Sequence, residues 1–548
     1  MKIPYRKIIF IISLVLSVFV IVFTSACKEP EDPGSNPLPE TVVSGNWTFE
    51  LNADNTYSVE KYEGNETTIT VPTLCEGKTV TKILTNAFND CTAKSITLPS
   101  SIEKIEMGAF SKVSDLEELT IPFVGGDVSY DDSAEITLFG YVFGKTPYID
   151  SIGVSQPLLF GAGANPIFYI PQSLKKVTIT GGKVYYGAFS SCVMLEEVNL
   201  PQSDTDINSF TFEDCVNLKT VTIPEGVTRI GERAFVGCVS LVNITLPHSL
   251  ETLDTAVFED CESLKTIEIP ERLTNVEYDN EIGGIFKGCT SLTSITVSPN
   301  NTAFSHFEGV VYNKEKTKIK IMPLGYSGPL TLPETITTID DSILSDLNEC
   351  LKVNYIWFDD KVNAVYESVG GILYNKDKTE IVAIPRALGE DENDSEVVIE
   401  SGIQHLPLNA FEYCVNIKKI TLPEGVKSIP QFAFAGCTSL QEVVIPESVT
   451  YIGTYAFANC TSLETFIVTR NVITMGQMAF SGNKDMKLFI EYTREEIDAM
   501  IDKETEGGVE DTNTMWEPYW LLEFEGKLYY VGEWLRDIDG NPYPILVN

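Results

Sequence analysis

Histidine is nearly missing from this 548-residue chain: His248, His306 and His405 are its three copies, and they are widely dispersed. Zinc sites draw on clustered histidines or paired Cys-x-x-Cys, and neither pattern occurs. Positive charge is scarce as well. Thirty-nine Lys and Arg face 78 Asp and Glu, leaving a net charge of −39. Phosphate binding requires a basic face, so nucleic acid is excluded as a partner. Spread along the chain, this charge keeps an elongated apolar fold soluble by self-repulsion. Catalytic signatures are also lacking, with no Gly-x-Ser-x-Gly and no His-Glu-x-x-His. Gly77-Lys78-Thr79 has Pro72 where a phosphate loop needs its leading glycine. Asp537-Ile538-Asp539-Gly540-Asn541 opens like a calcium loop but lacks the distal Glu, so it reads as a turn. Acid pairs carry no information in so acidic a chain. No catalytic residue, cofactor or metal is expected.

The N-terminus carries the one pronounced apolar run, Ile8–Phe23, preceded by Lys2, Arg6 and Lys7. At about 16 residues it is short for a permanent span and suited to a signal-peptide core. Thr24-Ser25-Ala26-Cys27 follows and resembles a bacterial lipobox, although Thr24 stands where many lipoboxes carry Leu. That resemblance implies lipidation of Cys27 after removal of residues 1–26; an ordinary signal peptide or an anchor helix is the alternative. Residues 27–41 are rich in Pro, acid and small side chains and read as an extended tether.

What the chain has in abundance is a repeat. Phe189, Phe212, Phe235 and Phe258 stand 23 residues apart, as do Phe411, Phe434, Phe457 and Phe480. The unit reads Ala-Phe-x-x-Cys-x-x-Leu-x-x-Ile-x-Leu-Pro. So short a unit cannot bury its own apolar side, and copies must stack into one continuous core. In the unit from Phe212 to Phe235, Thr220-Val221-Thr222-Ile223 alternates like a strand with Val221 and Ile223 inward. Pro224-Glu225-Gly226 turns the chain, and Val227 to Ile230 supply a second apolar pair before Ala234-Phe235 returns to the core. The predicted fold is a mostly β solenoid with short turns and helical corners. Its parallel ladder of about fifteen turns would run roughly 70 Å.

The motif resembles the BspA-type, or treponemal-type, leucine-rich repeats of bacterial surface proteins over about 42–487. Gly309-Val310-Val311-Tyr312-Asn313-Lys314 and Gly371-Ile372-Leu373-Tyr374-Asn375-Lys376 match a variant unit of the same family. The resemblance implies display at a bacterial surface and adhesion to host matrix proteins or to other cells.

Within the solenoid, 42–75 is expected to close the N-terminal edge, and 488–548, with Trp516, Trp520 and Trp534, the C-terminal edge. Residues 111–187 are irregular and are expected to hold about three degenerate turns with projecting loops. Tyr278 to Glu281 and Glu390 to Asp394 read as further insertions. Nine cysteines share one repeat position (Cys91, Cys192, Cys215, Cys238, Cys261, Cys289, Cys414, Cys437 and Cys460), and Asn483 takes it in the last turn. One cysteine per turn, all pointing the same way, implies buried free thiols.

A candidate binding face remains. Its outward strand positions are Thr220, Thr222, Asn243, Thr245, Thr266, Glu268, Ser294, Thr296, Lys419, Thr421, Glu442, Val444, Thr465 and Ile467, with Glu197 and Asn199 beside them. Such a surface suits a protein or glycan chain on a host or neighbouring cell, and Val444 with Ile467 form its apolar spot. Strand propensity alone also explains a threonine row. The chain is expected to be a monomer attached to the membrane by its N-terminal lipid. An envelope or periplasmic scaffold, or an enzyme with a site in 111–187 or 488–548, are the rival readings.

Overall fold

The computed structural model describes residues 40–490, apart from 128–133, 160–163, 203–205, 277–283, 360–361, 391–394, 470 and 484–485, together with four two-residue strands between 523 and 543. The lipobox, most of the tether, the 278–281 insertion and nearly all of 488–548 therefore lie outside the described residues. The last four strands pair as two antiparallel ribbons, Glu523–Phe524 with Lys527–Leu528 and Leu535–Arg536 with Pro542–Tyr543.

The chain coils into a mostly β solenoid of about 17 turns with little helix. Each regular turn contributes three edges to the coil. The first is a row of short strands: Thr68–Thr70, Ser95–Thr97, Glu118–Ile121, Lys176–Ile179, Glu197–Asn199 and Thr220–Thr222 lie side by side in one sheet. Inward residues such as Val198 and Val221 pair in register, while Thr220 and Thr222 stay exposed. The second is formed by two-residue strands, Ile207, Ile230 and Leu253 facing the core in successive turns and Asn275–Val276 pairing next in line. The third is the Ala-Phe corner. Rings of Phe189, Phe212, Phe235, Phe258 and Phe286 stack nearly parallel, with centroids 5.2–5.6 Å apart. Phe258 and Phe286 keep this spacing although 28 residues separate them, so the insertion leaves the stack intact.

The corner explains the cysteines. Where a regular corner precedes it, the thiol donates to the carbonyl of that turn's marker phenylalanine: Cys215 to Phe189 at 3.1 Å, Cys238 to Phe212 at 3.2 Å, Cys261 to Phe235 at 3.2 Å, whereas Cys414, at the start of the last array, donates to Pro385 O. Cys437 and Cys460 repeat the bond to Phe411 and Phe434. In the last turn Asn483 donates its amide to Phe457 O at 2.8 Å. The position needs a small buried donor, because a buried carbonyl without one costs about 1–3 kcal/mol. All cysteines among the described residues are buried and unbridged. The corner also bends through left-handed residues two positions after each ring, such as Asp214, Gly237 and Asp260. At Gly237 a Cβ would meet Asp214 Oδ1 at 2.5 Å, so a larger residue there would have to displace that carboxylate.

Two expectations change. Glu118–Ile121 pairs directly with Lys176–Ile179, so the irregular interval adds a single turn and not three. Phe139 and Phe143, from one 3-10 segment, together fill one level between Phe110 and Phe189. Much of the remaining length leaves the coil as the hairpin Ser151–Ser155 with Ile167–Pro171. Buried Gln156 fastens it, accepting from Gly140 N and donating to Ala188 O.

Nor is the core one continuous group. Buried side chains form three packed clusters that meet at the two variant units. Val311 points into the first cluster, and its neighbours Val310 and Tyr312 into the second. Leu373 likewise joins the second, and Ile372 and Tyr374 the third. A strand buried on both faces necessarily divides two cores. Each unit is locked by buried asparagines. Asn301 donates to Pro270 O and Leu273 O and accepts from Ala303 and Phe304, and Asn363 makes the equivalent four bonds. Asn313 and Asn375 then close the two turns by accepting backbone N–H bonds. The one α-helix among the described residues, α1 (Asp341–Glu349), packs Ile343 and Leu347 into the middle cluster.

Candidate binding face

Strand alternation places the candidate residues outward in two separate ladders. Thr220, Thr222, Asn243, Thr245, Thr266, Glu268, Ser294 and Thr296 belong to the first cluster, and Lys419, Thr421, Glu442, Val444, Thr465 and Ile467 to the third. Ser294, Lys419 and Thr421 are half-buried and the others exposed. The variant units and the pair Ser327–Leu332 with Lys352–Phe358 lie between the ladders in the chain.

The first ladder satisfies much of itself. Thr222 Oγ1 donates to Asn199 Oδ1 at 3.0 Å, and Asn199 Nδ2 reaches Thr178 Oγ1 at 3.3 Å. Lys176 pairs with Glu197 at 2.7 Å, and Lys219 with Glu196 at 2.6 Å. These lysines hold the Glu197 and Glu196 carboxyls below their ordinary range. Exposed pairs of this kind contribute little to stability. They occupy polar groups that a ligand would otherwise meet.

The second ladder differs in chemistry. Val398 lies beside Thr421, and Thr421 beside Val444, in direct register. Ile467 occupies the matching position one turn on. Val398 is 69% exposed, Val444 39% and Ile467 44%. Three exposed apolar side chains on four successive strands, with half-buried Thr421 between the first two, form the arrangement expected of a contact surface. Beside it run Glu396, Lys419 and Glu442, with Lys419 paired to Glu442 at 2.8 Å. Trp357, 44% exposed and next to Tyr355, adds an aromatic patch on Lys352–Phe358. Sequence reasoning found Val444 and Ile467 and missed Val398 and Trp357. Val398 follows the acidic stretch at 390–394 and lacks the Cys-x-x-Leu lead-in; Trp357 lies outside the 23-residue rhythm. The alternation Glu396-Val397-Val398-Ile399 was the available signal.

Nothing in either ladder assembles catalytic groups. Among the described residues no group of three or more His, Cys, Asp or Glu is placed to hold a metal ion. No described helix is long and apolar enough to cross a membrane.

Parallel ladders, stacked corner rings and a donor at each corner define a leucine-rich-repeat scaffold. The BspA type leucine-rich repeat region, with six copies, matches residues 60–128, 182–318 and 384–487, more than half the chain, and the chain belongs to that family. Among solved structures, a leucine-rich cell-surface protein from Faecalibacterium prausnitzii is 25% identical; 84% of this chain and 97% of that one are covered, with a TM-score of 0.39. A leucine-rich-repeat protein from Bacteroides ovatus is 18% identical, covering 82% of this chain and 100% of that one with a TM-score of 0.28. The pneumococcal vaccine antigen PcpA is 17% identical, covering 85% and 96% with a TM-score of 0.27. No curated protein matches the chain.

Proposed function

We propose that this chain is a lipid-anchored protein of the outer bacterial surface that binds a protein on a host or neighbouring cell through its second strand ladder. The exposed row Val398, Val444 and Ile467 carries the reading, because a solenoid gains nothing in its own stability from apolar side chains turned to water. Cys27 takes the lipid, residues 27–41 hold the coil away from the membrane, and the chain acts as a monomer without catalysis. The polar first ladder serves as a solvated frame, and the specificity sits where apolar side chains emerge. A scaffold for other envelope proteins is the second reading, since the same row would serve a partner within the envelope.

Protease treatment of intact cells separates the two. Under surface display the solenoid is lost from intact cells, and a Cys27→Ser variant passes from the membrane fraction to the soluble fraction. Survival on intact cells with loss only after lysis assigns the chain to the periplasmic side and overturns surface display. A Cys27→Ser variant that stays in the membrane overturns the lipid anchor.

A further inference from the structure

In the regular arrays the corners are joined backbone to backbone. Phe258 N donates to Ile285 O and Asp260 N to Lys287 O in the turn that follows; Tyr413 N donates likewise to Ala435 O. The ladder breaks after Phe286, where the next corner is replaced by the first variant unit and α1. Gly288 N–H stands at the position that donates to the following corner in the regular arrays, and among the described residues it makes no backbone hydrogen bond. A groove of about 490 Å³ opens at this place. Gly288 and Thr290 form one side, Leu324 and Asn348 line the middle, and Glu412 and Tyr413 of the third cluster's first corner form the other side. Its size falls in the usual range for a ligand site, roughly 300–1,000 Å³.

The groove's two sides are unequal. On the far side the buried guanidinium of Arg386 already donates to the Asn409 and Glu412 carbonyls, and also to Asn348 O at 3.1 Å. The backbone carbonyls there already accept from Arg386, and the backbone group without a bond of this kind is the donor at Gly288. Leu351 and Tyr413, both on the groove, are 64% and 59% exposed. Glu349 and Glu412 supply negative charge at its rim.

We infer that this groove takes an extended segment of a partner polypeptide in the place of the missing corner. One backbone carbonyl of the segment accepts from Gly288 N–H, as the next corner does elsewhere in the stack. An apolar side chain lies against Leu324 and Leu351, and a Lys or Arg crosses the Tyr413 ring toward the Glu349 and Glu412 carboxylates. The interaction is backbone addition to an open ladder, and it is separate from the strand face holding Val444 and Ile467.

Selection of a random-peptide phage library on the immobilised full chain, with a glycan array in parallel, tests the inference. Expected is enrichment of peptides joining an apolar residue to Lys or Arg. Leu351→Asp and Glu349→Arg should each weaken them at least about tenfold, while Val444→Lys leaves binding unchanged. Both groove side chains are exposed, so thermal unfolding of these variants should match the parent chain. Failure to enrich any peptide, an acidic consensus, or binding that survives both groove substitutions overturns the inference. So does loss of binding on Val444→Lys, or a glycan whose binding depends on Leu351.

Discussion

Between pH 8 and pH 10.5 the chain is expected to lose most of its stability, far more than an ordinary repeat protein would. The cause is the corner ladder. Burial raises the thiols of Cys192, Cys238, Cys261 and Cys437 well above the ordinary 9.0, and those of Cys289, Cys414 and Cys460 to about 12. A thiol raised in the folded state keeps its proton there after the unfolded chain has lost it. Its stabilisation is complete below the unfolded value near 9 and declines as pH rises toward the folded value. Each such thiol removes about 1.4 kcal/mol per pH unit. Seven of them acting together remove on the order of 10 kcal/mol by pH 10, comparable to the whole stability of many domains. Urea midpoints measured at half-unit steps should fall steeply from pH 9 upward, and the thiols should resist alkylation at pH 8 until the chain unfolds. A flat profile to pH 10.5, or rapid alkylation of the native chain, would remove the thiols from the core.

Arg386→Met is expected to destabilise the chain by about 1–3 kcal/mol and to separate unfolding into two stages. Arg386 is 5% exposed and donates to three carbonyls: Asn348 O near the C-terminal end of α1, and Asn409 O and Glu412 O in the next cluster. Methionine fills comparable volume but leaves those acceptors without the one donor that joins them. The loss falls on the contact between the second and third clusters, and nearest-neighbour contacts of that kind make a stacked array unfold as one unit. Arg386→Lys should recover little, since an ammonium cannot spread three bonds in the guanidinium's plane. Urea unfolding followed by tryptophan fluorescence and by circular dichroism should give coincident curves for the parent chain and displaced curves for the variant. Coincident curves for Arg386→Met, with a loss under 1 kcal/mol, would leave Arg386 a minor contact.

Much of this architecture is written in the 23-residue spacing, because the same few constraints recur each turn. Phe212 and Phe235 must stack, Val221 must face in, and Cys238 must reach the carbonyl below. Repetition makes such constraints visible. The features that vary the pattern do not repeat, and they were harder to read. Gly309–Thr317 and Gly371–Thr379 could be matched as a variant unit, but their role as dividers depends on Val310 and Val311 facing opposite cores, which no spacing announces. Gln156 and Arg386 act through single long-range bonds to Ala188 and Glu412 and leave no periodic trace. The strand face was legible as alternation at Thr220 and Thr222. Its division into a self-paired polar ladder and an apolar one was not, because it rests on Thr222 meeting Asn199 and on Val398 lying beside Thr421.

A protein partner on the exposed row of the second ladder is the proposal on which the function rests. Its most direct test is retention of proteins from host and bacterial extracts by the purified full chain and by its Val444→Lys/Ile467→Lys variant, compared by mass spectrometry. Expected is a protein retained by the parent chain, lost with the double variant, and still retained when Leu351→Asp disables the corner groove. The same proteins retained by parent and double variant alike would contradict it.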